Sequence, residues 1–264
     1  MPKLLPCPSC NYARSWVIRR YHRKCKQCRK EWSPRTFHPV LPFRLSRREW
    51  LRLIEVFLRD HTILAVTNEC HLAYRTAQAA ILRIRRKMAT VKLEPFCLVV
   101  EADGTYIGGA WKNKPAWIRR RYRVKRGRGT NKQAIFGLMQ RYPPQVKAWL
   151  VKNEKAVTTI PLINSQVRKG SLIFTDGHKG YRRLPKYGYH HDWVDHEKGE
   201  YVKGIVHTQT LDGYWGLLKN RLDRTGGVRR SFIHLYLAEH QWRYNHHHLS
   251  RKQQAKLIYQ LLTD

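Results

Sequence analysis

An apolar run passes directly into acidic residues in Phe96-Cys97-Leu98-Val99-Val100-Glu101-Ala102-Asp103-Gly104-Thr105-Tyr106-Ile107-Gly108-Gly109. The run has the length of a strand and is far shorter than the roughly 20 apolar residues that a membrane helix needs. Side chains alternate along a strand, so Val99, Glu101 and Asp103 share one face. The pattern predicts a buried strand that ends in carboxylates.

A second segment of this kind lies further along the chain. Ser171-Leu172-Ile173-Phe174-Thr175-Asp176-Gly177 is again an apolar strand that ends in a carboxylate and a glycine turn, and a helix is predicted after it. Between the two segments, residues 132–139 and 146–151 are predicted as the second and third strands of an antiparallel set. Residues 156–167 are predicted as a helix.

A third acid lies on a predicted helix over residues 208–219. Leu211, Trp215 and Leu218 form its apolar stripe, and Lys219 follows Asp212 by two helical turns, on the same side. Two strand-end acids and one helix-borne acid are what a ribonuclease-H-like sheet needs to hold two divalent cations. We therefore predict an α/β fold whose catalytic domain is ribonuclease-H-like, with a mixed sheet flanked by helices.

The predicted ligands of the two cations, Mg²⁺ or Mn²⁺, are Asp103, Asp176 and Asp212. Two such ions roughly 3.5–4 Å apart can activate an attacking oxygen and stabilise a leaving one in phosphoryl transfer. A surface salt bridge is the alternative for each acid taken singly. His207 precedes the acid-bearing helix and is predicted to contact a scissile phosphate or a metal-bound water; hydrogen bonding at the helix end is its alternative.

The amino-terminal segment carries two C-x2-C pairs separated by 14 residues. Their four thiolates, Cys7, Cys10, Cys25 and Cys28, are predicted to bind one structural Zn²⁺ in a zinc ribbon over residues 1–40. So short a segment cannot bury enough surface to fold alone, so metal binding would supply its folding free energy. A redox C-x-x-C is the alternative, but no βαβ pattern surrounds these pairs.

Residues 41–92 are predicted as a helical DNA-binding domain. Ser46 and Glu49 form a capping box at the start of its first helix, and the next two helices are spaced as in a helix-turn-helix. The residues predicted to meet base edges are Tyr74, Arg75, Thr76 and Gln78. The alternative is an ordinary helical hairpin packed on the catalytic domain.

The charge of the chain favours a polyanionic partner. Lys and Arg number 52 against 18 Asp and Glu, which gives a formal net charge of +34. Residues 111–132 hold ten basic residues and no acid, interleaved with aromatics, and are predicted to form a DNA-binding arm. Its predicted contacts are Arg119, Arg120, Arg121, Arg123, Lys125, Arg126 and Arg128. A solvated basic loop is the alternative.

Taken together, these motifs resemble those of bacterial insertion-sequence transposases of the ISXO2-like group, which carry a DDE-type catalytic domain behind a zinc ribbon. The resembling segments are Cys7-x2-Cys10 with Cys25-x2-Cys28, Asp103 to Gly109, Thr175 to Tyr181, His207 to Trp215 with Lys219, Tyr236 to Glu239, and Trp242 to Asn245. The chain departs from the family at Asp212, where Glu is most common, and at Gly104, where Glu is expected.

The resemblance implies a two-metal transposase that cuts double-stranded DNA at its element's inverted repeats and joins the 3′ ends to target DNA. Asp103 and Asp176 would be metal ligands, and Lys219 would lie near DNA phosphates. The catalytic domain is predicted over residues 93–264. A homodimer or larger assembly on DNA is expected, with no membrane partner, in the reducing bacterial cytoplasm at the nucleoid.

Two other functions fit the same residues. The departures at Asp212 and Gly104 would also suit a domesticated, catalytically impaired protein that only binds DNA. A nuclease of the same fold, acting on RNA in hybrids or on branched DNA, is the third reading.

Overall fold

A computed structural model describes residues 6–19, 22–33, 45–60, 62–108, 115–121, 132–194 and 202–263. The chain forms two compact units, one of Met1–Met88 with Leu249–Asp264 and one of Ala89–His248. The sequence pattern grouped the last helix, α8 (Arg251–Thr263), with the catalytic domain, whereas its contacts group it with the first unit. Its apolar stripe accounts for this, because Ala255, Ile258 and Leu262 are fully buried where α8 packs on other helices of that unit.

The first unit begins with a three-stranded antiparallel ribbon. Its strands are β1 (Ser15–Arg19), β2 (His22–Cys25) and β3 (Glu31–Trp32), in that spatial order. β1 lies between the two cysteine pairs, and β2 ends at Cys25. The strand pairing brings Ser15 opposite Cys25, so the second cysteine pair lies close to where β1 begins.

Three further helices of the first unit are α1 (Arg47–Asp60), α2 (Ile63–Cys70) and α3 (Tyr74–Met88). The capping box at α1 is present: the Ser46 backbone N–H donates to Glu49 Oε2 at 2.6 Å, and the Glu49 N–H donates to Ser46 Oγ at 3.3 Å. The Thr62 hydroxyl caps α2, accepting from the Ala65 N–H at 3.1 Å. α2 and α3 are the two helices that the sequence predicted after α1.

The second unit is built on a five-stranded mixed sheet. Its strands in spatial order are β6 (Gln145–Val151), β5 (Gln133–Gln140), β4 (Val99–Ile107), β7 (Leu172–Asp176) and β8 (His190–Val194). β4, β5 and β6 are antiparallel, and β4, β7 and β8 are parallel. The predicted mixed α/β sheet is confirmed, and β4, which delivers Asp103, is its central strand.

The side chains of each strand point alternately to the two faces of this sheet, and helices cover both faces. Even-numbered residues of β4 and β5, such as Ala102 and Phe136, pack with α5 (Ala156–Gln166), and odd-numbered ones, such as Ile135, pack with α6 (Gln209–Arg224) and α7 (Ile233–Asn245). A short helix, α4 (Ala116–Arg121), lies within the predicted basic arm. The predicted helix after Asp176 is a 3-10 helix, Lys179–Tyr187.

The outer edge of β6 is closed by two side-chain amides of α7. Asn245 accepts from the Val146 N–H at 2.7 Å and donates to the Val146 carbonyl at 2.9 Å. Gln241 does the same at Ala148, at 2.9 and 3.0 Å. Asn245 and Gln241 are four residues apart on the helix and so share one of its faces, as residues two apart on a strand do. The two amides can therefore reach the backbone of Val146 and Ala148 together.

No helix among the described residues is long and apolar enough to span a membrane.

Candidate active site and metal centre

Four cysteine thiols converge at the end of the ribbon. The sulfurs of Cys7, Cys10, Cys25 and Cys28 all lie within 4.8 Å of one another, with Cys7–Cys28 at 3.6 Å and Cys10–Cys25 at 3.5 Å. Four ligands at the usual Zn–S distance of about 2.3 Å would hold the sulfurs about 3.8 Å apart. The donor set and its spacing therefore fit a tetrahedral zinc site.

The local backbone explains why the thiols converge. Asn11 and Arg29, each directly after the second cysteine of a pair, adopt left-handed conformations with φ of 56° and 62°. Burial alone would raise the pKa of the Cys7 thiol, but hydrogen bonds from its neighbours, chiefly the Cys10 backbone, lower it to about 6. The Tyr12 backbone acts to lower the pKa of Cys10, but burial and hydrogen bonds from the other three thiols raise it to about 12. The cluster therefore holds a proton that a bound metal ion would displace.

The three predicted acids of the second unit influence one another electrostatically. Burial raises the pKa of the Asp103 carboxyl, and the charges of Asp212 and Asp176 raise it further, to about 8. Asp103 lies within β4, Asp176 ends the parallel neighbour β7, and Asp212 lies in the first turn of α6. A cation among them would relieve this repulsion, and carboxylates are the hard oxygen ligands that Mg²⁺ prefers.

The acids are spread more widely than the cysteines. Within the described ranges, the cysteine cluster is the only set of three or more His, Cys, Asp or Glu whose ligand atoms all lie within 4.8 Å of one another. Carboxylates around two ions that are themselves roughly 3.5–4 Å apart need not meet at one point. The three acids therefore form no single compact cation site among the described residues.

A buried ion pair fixes the start of α6 on the sheet. The Arg141 guanidinium donates to Glu101 Oε1 at 2.7 Å, and the Leu211 backbone N–H donates to Glu101 Oε2 at 3.0 Å. Glu101 is fully buried. His207, two residues before α6, joins this cluster, with Nδ1 at 3.0 Å from Arg141 Nη2.

One further contact links α6 to Asp103 directly. The indole Nε1–H of Trp215 donates to Asp103 Oδ2 at 3.0 Å. α6 thus carries Asp212 and also contacts the carboxylate of the central strand.

A match to a family of known proteins agrees with this geometry. Residues 98–245, more than half of the chain, match the family described as the ISXO2-like transposase domain. The chain belongs to this family.

Two relatives and one solved structure extend the comparison. The chain is 26% identical over 254 residues to an uncharacterized protein in transposable element ISH50 of Halobacterium salinarum, across 90% of this chain and 84% of that protein. It is 27% identical over 118 residues to an uncharacterized transposase-like protein of Haemophilus influenzae, across 43% of this chain and 89% of that protein. A chain of the simian T-cell lymphotropic virus intasome in complex with PP2A regulatory subunit B56 gamma is similar at a TM-score of 0.36 and 13% identity, covering 74% of this chain and 68% of that chain.

The two departures from the ISXO2-like transposase pattern differ in their structural setting. Asp212 is exposed, with the Thr208 hydroxyl 3.5 Å from its Oδ2. Gly104 lies directly against the side chain of Glu154, from the turn between β6 and α5, so a side chain at position 104 would require Glu154 to move. Lys219 is exposed on α6, as its predicted role near phosphates requires.

Only some of the residues predicted to contact DNA lie in the part of the chain that the structure describes. Tyr74, Arg75 and Gln78 are exposed in the first turns of α3, and Thr76 is half-buried. In the arm, Arg120 and Arg121 are exposed on α4, and Arg119 lies on the same helix. Arg123, Lys125, Arg126 and Arg128 lie outside the described residues.

Sequence reasoning missed three contributors to this site, namely Arg141, Glu154 and Trp215. Trp215 was assigned to the apolar stripe of α6, which it does join, but its position three residues after Asp212 also brings the indole N–H to the acids. Arg141 follows an apolar strand as a single cation, a signal that could have suggested a buried carboxylate partner. No sequence signal marks Glu154.

Proposed function

We propose that the protein is the DNA transposase of an insertion sequence, which binds the terminal inverted repeats of its element, cuts DNA there and joins the freed 3′ ends to target DNA. The observation that carries the proposal is the placement of Asp103 and Asp176 on adjacent parallel strands of a domain of the ISXO2-like transposase family, with the charges of Asp212 and Asp176 adding to burial in raising the pKa of the Asp103 carboxyl. Like-charged carboxylates are brought together at a cost that bound cations offset, and this arrangement is common at functional sites.

Two Mg²⁺ or Mn²⁺ ions bound by these carboxylates would activate the attacking oxygen and stabilise the leaving one. The chain contributes position: Asp103 and Asp176 come from adjacent parallel strands, and Asp212 comes from a helix that Glu101 holds to the central strand. Lys219, two turns beyond Asp212, would contact DNA phosphate. His207 would orient the start of α6 and reach the scissile phosphate from there.

DNA binding is proposed for three segments. The exposed residues of α3, Tyr74, Arg75 and Gln78, with half-buried Thr76, would read base edges. The basic arm at 111–132 would contact phosphates near the cut, through Arg119, Arg120, Arg121, Arg123, Lys125, Arg126 and Arg128. The cysteine cluster would bind a structural Zn²⁺ that holds the ribbon folded. A homodimer or larger assembly would bring two DNA ends together in the bacterial cytoplasm, at the nucleoid.

The test is cleavage and joining of DNA that carries the cognate inverted repeats, by purified protein with Mg²⁺ or Mn²⁺. Asp176→Ala should abolish both reactions and leave DNA binding intact. Glu69→Ala, which removes an exposed carboxylate of the first unit, is the matched control and should retain activity. Unchanged cleavage by Asp176→Ala would refute the assignment of the acids.

A second candidate is a transposase-derived protein that binds DNA without cutting it. The exposed Asp212, one methylene shorter than the Glu usual in the family, is the observation that favours it. This candidate predicts salt-sensitive DNA binding and no metal-dependent cleavage. Any strand cleavage that Asp103→Ala removes would eliminate it.

A further inference from the structure

Trp215 combines an apolar environment with a single polar contact. Its side chain is 3% exposed, in the core between the sheet and α6, and its one N–H donates to Asp103 Oδ2 at 3.0 Å. A buried indole N–H needs an acceptor, so this hydrogen bond fixes the ring as well as the carboxylate.

A glycine on the neighbouring strand makes the contact geometrically feasible. Gly137 pairs with Asp103 across β4 and β5, and a Cβ atom added at Gly137 would lie 2.6 Å from both Cζ2 and Cη2 of Trp215. The outer edge of the indole ring therefore occupies the position where a side chain would otherwise stand. Because every other residue type carries a Cβ atom, only glycine leaves room for the ring in this orientation.

The hydrogen bond joins two of the three acids through one helix. Asp212 and Trp215 are three residues apart on α6, so the helix carries one acid and contacts a second. Glu101 holds the same helix to β4 through the Leu211 N–H. A shift of α6 would therefore move Asp212 and disturb Asp103 at the same time.

We propose that Trp215 is a positioning residue that holds the Asp103 carboxylate in the orientation in which it binds a divalent cation, an inference that rests on the proposed function. The indole N–H is a neutral donor, so it orients the carboxylate and leaves its negative charge for the metal. Removing partners that orient metal ligands commonly lowers metal affinity or activity about 10–100-fold.

The experiment compares Trp215→Phe with the native full-length, zinc-loaded protein. Phenylalanine keeps an aromatic ring in the core and removes the donor. Mn²⁺ binding is measured by calorimetry, and the Mg²⁺ concentration for half-maximal cleavage is measured in parallel. We expect the Mn²⁺ dissociation constant and the Mg²⁺ concentration for half-maximal cleavage to rise about tenfold or more. The kcat at saturating Mg²⁺ should change less. Gly137→Ala, which displaces the ring while keeping the donor, should move both quantities in the same direction.

Two control variants on α6 separate positioning from packing. Leu218→Ala opens a cavity one turn away in the same core, and should lower Tm without changing Mn²⁺ affinity. Tyr214→Phe alters the adjacent buried aromatic and should leave Mn²⁺ affinity unchanged. Native Mn²⁺ affinity in a folded Trp215→Phe protein would overturn the inference. Native affinity in Gly137→Ala would overturn it if Trp215→Phe does not fold.

Asp103→Asn distinguishes failure of this inference from failure of the proposed function. If Asp103→Asn abolishes Mn²⁺ binding while Trp215→Phe leaves it native, the metal site stands and the role of Trp215 is wrong. If Asp103→Asn leaves both Mn²⁺ binding and cleavage native, the proposed metal site itself is wrong, and the inference falls with it.

Discussion

Glu154 occupies the space that a side chain on Gly104 would need. A Cβ atom built on Gly104 would lie 2.5 Å from Cδ and 2.8 Å from Cγ of Glu154. The two residues are 50 positions apart along the chain, and the turn between β6 and α5 brings them together beside the central strand. The missing side chain at position 104 is therefore matched by a large one from position 154.

This contact predicts that Gly104→Ala displaces the Glu154 side chain and lowers the free energy of unfolding by about 1 kcal/mol or less, because the clashing atoms are the end of a flexible side chain. The free energy of unfolding from urea titrations measures the effect. Adding Glu154→Ala should restore most of the loss, since the methyl group then has room. Gly213→Ala, which has open space around its Cβ position on α6, should be neutral or stabilising. Equal stability of Gly104→Ala and the native protein would contradict the contact.

Removal of one thiol should empty the zinc site. The native protein should bind about one zinc per chain, and Cys28→Ser should lose it, because three thiolates and a hydroxyl bind zinc far more weakly. Metal content by atomic emission and amide signals of the ribbon in NMR spectra report the result. Cys70→Ser changes a half-buried thiol outside the cluster and should keep the zinc. Retention of zinc by Cys28→Ser would rule out the four-sulfur site.

The Glu101–Arg141 pair should show strong coupling in a double-mutant cycle. Glu101 is fully buried, so Arg141→Met removes its guanidinium partner, leaves only His207 Nδ1 at 3.5 Å as a basic group of this cluster, and should cost about 3–5 kcal/mol of unfolding free energy. Glu101→Gln keeps an acceptor for the Leu211 N–H, and the double variant should be more stable than Arg141→Met alone. Additive losses in the cycle would show that the two side chains do not interact.

Stability should fall in mild acid because of His240. Burial, helped by the positive charges of Arg221 and Arg243 and opposed by Glu239, lowers the pKa of this histidine to about 4. Its unfolded pKa is about 6.5, so the unfolded chain gains a proton first as pH falls. The contribution of neutral His240 to the free energy of unfolding is thus complete above about pH 6.5. It is lost as the pH falls toward 4, with a slope of up to about 1.4 kcal/mol per pH unit.

His240→Gln tests this directly, because it removes the titrating group from the core. The variant should show a shallower fall in unfolding free energy between pH 6.5 and 4.5 than the native protein. His234→Gln, on the exposed side of the same helix, is the matched control. An unchanged slope in His240→Gln would assign the acid sensitivity to other groups.

The strands and acids of the second unit could be predicted because local pattern determines them. β4, β7 and α6 follow from apolar alternation, glycine turns and a helical stripe. β7 ends at Asp176 and α6 begins near Asp212, as predicted, whereas β4 does not end at its acids but continues four residues beyond Asp103, to Ile107. The long-range partners could not be predicted. Arg141 reaches Glu101 from 40 positions away, and Trp215 reaches Asp103 across 112, through a sheet register that no short segment encodes.

The sequence pattern also could not predict the type of one helix or the unit to which another helix belongs. Lys179–Tyr187 has the composition of a surface helix, but Pro185 and Gly188 at its end favour a short 3-10 form. α8 has an apolar stripe that suits either unit, and only tertiary packing decides between them. The catalytic roles of Asp103, Asp176, Asp212, Lys219 and His207 remain predictions.

The two amides of α7 have a consequence for self-association. Exposed strand edges are templates on which other chains can add by backbone pairing, a route to unwanted aggregation. At Val146 and Ala148 those backbone groups already have partners in Asn245 and Gln241. An incoming strand would have to displace α7 before it could extend the sheet there. Copies of this chain are therefore kept from joining through the β6 edge of their sheets.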